Sequence, residues 1–122
     1  MTKNEPESWH SLTSIKQSAS NEIRADAIVF DKSPWFSGHF PGEPILPGVA
    51  LIGIVFDVIK QARGKNLKIS GVKRIKFKQI IKPGKKIQII ASKKNGNNGL
   101  YTFQVMVDSQ IACNGIMTVV KK

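Results

Sequence analysis

The sequence predicts an α+β fold, a curved antiparallel sheet wrapped around one long buried helix. Three observations predict it. Residues 48–62 are apolar almost all the way round, and a helix without a polar face has to be enclosed by protein. Four later segments, 69–81, 85–94, 100–108 and 110–120, are rich in β-branched residues and separated by short turn sequences, as successive antiparallel strands are. The economical way to bury one apolar helix and one apolar sheet face is against each other.

Each element follows from its local pattern. Residues 1–10 are polar, mixed in charge and interrupted by Pro6, and are expected to form a flexible tail. Residues 11–122 then make a single domain, because a chain of 122 residues without an internal repeat or a Ser/Gly linker has no room for a second. Segment 11–17 is a short alternation. In 22–30, Ile23, Ala25, Ala27 and Val29 share one parity, as a half-buried strand requires. Between residues 31 and 48 stand Pro34, Gly38, Pro41, Gly42, Pro44, Pro47 and Gly48, which describe a shaped loop because each proline fixes its own φ and keeps its predecessor out of the helical region. Pro47 suits the entry to a helix, where its missing N–H costs nothing. Lys60 and Arg63 complement the negative end of the helix dipole, and Gly64 is a stop. In 69–81, Ile75 and Phe77 alternate with Arg74, Lys76 and Lys78, so the apolar pair should face inward and the cations outward. Tyr101, Phe103, Val105 and Val107 repeat that alternation, and the turns fall at Pro83-Gly84, 95–99 and Asp108-Ser109.

Composition narrows the function classes. With 41% hydrophobic and 22% charged residues, the chain is neither low-complexity nor wholly disordered. Cys113 is its one cysteine, which excludes an internal disulfide or a cysteine-based zinc site and fits a reducing compartment, so a cytoplasmic location is expected. His10 and His39 alone make no metal site, and the sequence holds no phosphate-binding loop or dinucleotide fingerprint, so no cofactor is expected. Residues 1–11 carry no apolar signal core. The most apolar stretch, 45–59, is about fifteen residues where a bilayer needs about twenty, so no membrane span is expected. The net charge of +11 divides into −3 over residues 1–59 and +14 over residues 60–122. Such a field attracts an anionic partner or clothes a solvated surface. Neither a recognition helix nor basic residues interleaved with aromatics accompany it, which argues against nucleic acid.

The segment His39-Phe40-Pro41-Gly42-Glu43-Pro44-Ile45-Leu46-Pro47-Gly48-Val49 resembles the signature of the β-hydroxyacyl-acyl carrier protein dehydratases, the FabA/FabZ group of hotdog-fold proteins. Residues Gly71 to Phe77 and Lys82-Pro83-Gly84 are similar to that family's strand after the helix and its Pro-Gly turn. The resemblance implies a hotdog fold and a dimer, either of identical chains or mixed with a related hotdog protein, with strands paired across the interface and acyl tunnels between subunits. It also implies a 3-hydroxyacyl substrate held as a thioester on the phosphopantetheine arm of acyl carrier protein, from which water is removed to leave a 2-enoyl chain.

By this resemblance His39 is the base for the α-proton, and an imidazole pKa near 6.5 suits that task. The backbone N–H of Gly48, at the positive end of the helix, would hold the developing enolate oxygen. The family's helix acid stands fourteen positions after its histidine. Here that position is Gly53, which cannot protonate a leaving group and which marks close packing or room for a ligand. Asp57, about 6 Å further along the same face, is the candidate replacement; its other reading is a carboxylate bonded to a loop or to Arg63. Glu43 is a weaker candidate, in the loop. Without an acid the protein would bind acyl thioesters without turnover or complete its site with a related chain. Trp35 and Phe36 are expected to pack beneath the loop or line the acyl tunnel, and Phe40 and Pro47 are expected around the acyl chain. Ile52, Phe56 and Phe77 are expected in the core first and in the tunnel wall second. Arg74, Lys76 and Lys78 would face the acidic carrier protein, and Cys113 reads as a small buried hydrophobe.

Overall fold

The computed structural model describes residues 10–17, 21–29, 48–82, 84–94 and 99–122. Its elements are β1 (His10–Gln17), β2 (Glu22–Val29), α1 (Gly48–Arg63), β3 (Leu67–Phe77), β4 (Lys86–Lys93), β5 (Leu100–Val107) and β6 (Gln110–Lys121). The expected tail, apart from His10, lies outside the described residues. The six strands form one antiparallel sheet in the order β1-β2-β4-β5-β6-β3.

The register explains the core. Ala25 sits opposite Ile89, Ile89 opposite Val105 and Val105 opposite Cys113, so one inward row crosses four strands. Because the side-chain period is two, every second residue of β2, β4 and β5 joins that face. Against it α1 lays Ala50, Leu51, Ile54, Val55, Val58 and Ile59, all buried, a stripe of helical spacing. Burying each such Ile or Val side chain contributes about 1.5–3 kcal/mol. Bulges between Ile69 and Gly71, between Lys73 and Lys76 and between Val105 and Met106 interrupt the ladders, and bulges bend and twist a sheet around what it covers.

The helix stops where expected. Gly64 takes φ 128°, and its N–H donates to Lys60 O at 2.9 Å. Gln17 Nε2 donates to Ala62 O at 3.2 Å while Arg63 Nη1 donates to Gln17 Oε1 at 2.8 Å, which fastens the end of β1 to the carboxyl end of α1.

Two expectations need correction. The helix is not enclosed by its own chain: Val49 is 65% exposed, Gly53 is exposed, and Ile52 and Phe56 are half-buried. One sheet covers one side of a cylinder, and the opposite side stays open. Phe77, expected in the core, is 55% exposed. It is the last residue of β3, and β3 lies at the sheet edge with a neighbour on one side only. The strand expected over 69–81 ends there, and Ile80 beyond it is 65% exposed. Among the described residues no helix is long and apolar enough to cross a membrane, and no group of His, Cys, Asp and Glu is placed to hold a metal ion.

Candidate functional site

Gly48 opens α1, and the first N–H groups of a helix have no partner within it. The first turn carries no acidic residue, so nothing in that turn offsets the positive end of the dipole. The ring of Phe77 stands directly over this point. A β-carbon at position 48 would lie 2.5 Å from Phe77 Cζ and 2.7 Å from Cε1, closer than atoms pack. A side chain at position 48 would therefore have to displace the Phe77 ring. After Phe77 the chain is pinned, since Lys78 and Gln79 both donate backbone N–H bonds to Ala112 O, at 2.7 and 3.2 Å. Gln79 Nε2 adds a bond of 2.7 Å to Gln110 Oε1.

From Gly48 the open side of α1 continues along Val49, Ile52, Gly53 and Phe56, positions that share one helical face. Lys60 closes this stripe, with Nζ 5.0 Å from the centre of the Phe56 ring. The result is an apolar track that begins at a cluster of amide donors. A thioester carbonyl suits the donors, and an acyl chain suits the track.

Asp57 is half-buried and held by an interaction of its own. It lies nine residues from Gly48, about 13 Å along the helix axis. One chain therefore does not bring this carboxylate to its own oxyanion donor. His39, Trp35, Phe36, Phe40, Glu43 and Pro47 fall outside the described residues.

All three cations expected to form one surface, Arg74, Lys76 and Lys78, are exposed. Arg74 takes φ 55° within the bulge of β3. With Lys76, Arg24, Thr102, Gln104 and Asn114 it lines a groove of about 650 Å³ on the outer face of the sheet. Lys78 lies past the end of the strand. Cys113 is buried as expected, and burial pushes its thiol up to about 11, so it is unreactive at neutral pH. Sequence reasoning missed Val49 and Ile80 as exposed apolar groups, because an all-apolar run carries no mark of which side is covered.

Residues 15–116 match a family model described as ApeI-like, ApeI dehydratase. The 3-hydroxyacyl-[acyl-carrier-protein] dehydratase FabZ of Streptococcus pneumoniae is 30% identical over 111 residues, covering 80% of this chain and 79% of that enzyme. The FabZ of Caldicellulosiruptor bescii is 35% identical over 92 residues, covering 67% of this chain and 65% of that enzyme, just under two thirds of its length. Among solved structures, the dehydratase heterocomplex ApeI:P from Xenorhabdus doucetiae superposes with a TM-score of 0.79 at 26% identity, over 91% of this chain and 97% of that one. An (R)-hydratase from A. caviae shares the fold, with a TM-score of 0.63 at 14% identity over 86% of this chain and 97% of that one. Among the described residues, six antiparallel strands on one helix thus make the hotdog fold that the loop signature implied. The chain belongs to the ApeI-like dehydratase family, as a hotdog protein like the 3-hydroxyacyl-acyl carrier protein dehydratases.

Proposed function

We propose that the protein removes water from a 3-hydroxyacyl thioester carried on the phosphopantetheine arm of acyl carrier protein, in the cytoplasm, and leaves a 2-enoyl thioester. The observation that carries this reading is the amide cluster at Gly48 opening onto the apolar track of Val49, Ile52 and Phe56. Amide donors at a helix start stabilise a developing oxyanion. In the proposed reaction His39 takes the α-proton, and the C–H electron pair moves into the enolate while Gly48 N–H donates to the thioester oxygen. The enolate then collapses, the bond to the β-hydroxyl breaks, and a carboxylic acid delivers the proton that makes the leaving group water. Asp57 is the acid this chain offers. Its distance from Gly48 means that it serves the site of a dimer partner, against which the open face of α1 and the edge of β3 would pack.

A second reading rests on Gly53. With a glycine where the family carries its acid, the protein would form a mixed dimer in which a related hotdog chain supplies the carboxylate to His39 and Gly48. Alone, it would hold acyl thioesters without converting them.

Turnover of short and medium 3-hydroxyacyl carrier-protein substrates, read by mass spectrometry beside His39→Ala and Asp57→Asn, tests both. Dehydration abolished by either substitution is the expected result. Retained acyl-carrier binding without turnover by the unaltered protein would overturn it in favour of the second reading.

A further inference from the structure

The outer face of the sheet, turned away from α1, carries the groove of about 650 Å³ that the acyl site does not use. Its floor follows from the register. Arg24, Ile90, Gln104, Asn114 and Lys76 stand side by side across β2, β4, β5, β6 and β3. Their neighbours along the strands, among them Ala25, Ile89, Phe103 and Val105, are buried, so by parity this row looks outward. The two rims of the groove differ in charge. On the β2 rim Arg24 is offset, because its Nε lies 2.8 Å from Glu22 Oε1. On the β3 rim Arg74 and Lys76 are exposed, and among the described residues neither has a carboxylate partner. Between the rims the apolar Ile90 and Ile116 alternate with the side-chain amides of Gln104 and Asn114.

Arg74 holds its place in the groove against the preference of the backbone. Lys73 pairs with Ile116 and Lys76 with Asn114, so Arg74 and Ile75 together oppose Gly115. Ile75 turns inward and packs against the core. Gly115 leaves room for it, since a β-carbon there would lie 3.2 Å from Ile75 Cγ1 and 3.0 Å from Phe103 Cζ. Arg74 is left as the bulged residue, at φ 55°. That is the left-handed region, which bulges ordinarily give to glycine and which is unfavourable for an L residue with a long side chain. Strain of this kind persists where a side chain has a use. Here the bulge sets the Arg74 guanidinium and the Lys76 ammonium on one rim, with no carboxylate to offset them.

We propose that the outer groove binds a small organic phosphate, with the phosphate on Arg74 and Lys76 and the organic body lying over Ile116 and Ile90. A planar guanidinium fork beside a compact ammonium suits a dianionic, tetrahedral oxyanion. The volume of about 650 Å³ is that of a small-molecule site and far exceeds what a bare ion fills. Because the Arg24–Glu22 pair carries no net charge, the groove recognises one anionic end and leaves the other neutral. Gln104 and Asn114 offer amide donors and acceptors to polar atoms of the body. A nucleotide and a phosphorylated lipid headgroup share this chemistry. The site does not depend on the dehydratase reading, since the sheet stands between the groove and α1.

The test is calorimetric titration of the full chain, at fixed ionic strength, with pyrophosphate, adenosine 5′-diphosphate and a short-chain lysophosphatidate. One of the two esters is expected to bind saturably and at least tenfold tighter than pyrophosphate, and the tighter one identifies the body. If neither ester binds more tightly than pyrophosphate, the proposal is overturned. Arg74→Gly should weaken the ester at least tenfold and, by relieving the left-handed φ, raise the melting temperature by a few degrees. Arg74→Ala should lose the binding without that gain in stability, and Lys76→Gln should weaken binding to a similar extent. Unchanged affinity in Arg74→Gly would overturn the site, and a lowered melting temperature would remove the sign that arginine is kept there for its side chain. A control with Lys94→Gln and Lys122→Gln, both outside the groove, removes two charges and should stay within twofold of the unaltered protein. An equal loss in this control would mean attraction to the diffuse positive field and would overturn the site. Attachment to vesicles of anionic phospholipid by a protein that ignores all three soluble probes would assign the outer face to a membrane surface and would sink the small-ligand assignment.

Discussion

The two faces of α1 have nearly the same composition and opposite fates. Ile54, Val55, Val58 and Ile59 are closed off by the sheet, while Val49, Ile52 and Phe56, on the other face of the same helix, are left partly or mostly open. Apolar character thus specifies that a side chain is to be covered, and topology decides what covers it. The closed face stabilises the chain itself. In the proposed reading, the open face makes room for an acyl group and a second subunit. Substitutions on the two faces should therefore separate folding from function. Ile54→Ala should destabilise the protein by about 2–5 kcal/mol in chemical denaturation, the usual range for a large core residue cut to alanine. Val49→Ala should stay within about 0.5 kcal/mol for the monomer, as exposed positions do, while shifting the dimer dissociation constant measured by ultracentrifugation. Equal losses from the two would mean that the faces are not distinct.

Gly53 sharpens the same contrast, because it lies on the open face where the family places an acid. General acid assistance contributes roughly 10²–10⁴ in rate. With Asp57 supplying the acid, Gly53→Glu should leave turnover of a 3-hydroxyacyl carrier-protein substrate within a few fold of the unaltered protein. A rise of about a hundredfold would show that the missing carboxylate limits the reaction and would favour the second reading, in which a related chain brings it. Gly48 probes where the open track begins. Gly48→Ala should cost about 1–3 kcal/mol through overpacking against the Phe77 ring, and Phe77→Ala should relieve that cost. A double-mutant cycle measures the coupling, and strictly additive losses would show that the ring does not dictate the glycine.

How far the fold could be read from the sequence depended on the range of the interaction involved. The parity of Ile23, Ala25, Ala27 and Val29 and the limits of α1 are local patterns, and the structure places both within a residue or two of expectation. The hotdog family was recognisable because the loop from His39 to Val49 is contiguous. Phe77 was misplaced because its exposure follows from the pairing of β3 with β6 alone, a non-local choice that periodicity does not encode. The adjacency of Arg74 and Lys76 in one groove goes with the irregularity between Lys73 and Lys76, which alternation does not encode. The acid was the part of the site least open to sequence reading, since a glycine at position 53 records what is missing and says nothing about what replaces it.

The finest comparison uses thiols, one on each side of the molecule's covering. Cys113 is buried in the sheet under the closed face, and burial pushes its pKa from 9.0 up to about 11. The unfolded chain therefore loses this proton first. The stability tied to the thiol is fully present below pH 9.0 and is lost as pH climbs through about 11. Cys113→Ala should flatten that part of the pH dependence, and an unchanged slope would show that the thiol is not held in an apolar place. At pH 8 the thiolate fraction of Cys113 is roughly a thousandth, so a thiol reagent should not label it until the protein unfolds. A second thiol introduced by Val49→Cys should label at once in dilute protein. Its labelling should then slow as protein concentration rises, because the same apolar face becomes covered by a partner. Concentration-independent labelling at position 49 would mean that the open face of α1 stays uncovered, and the distinction between a face closed by its own chain and one closed by assembly would fail.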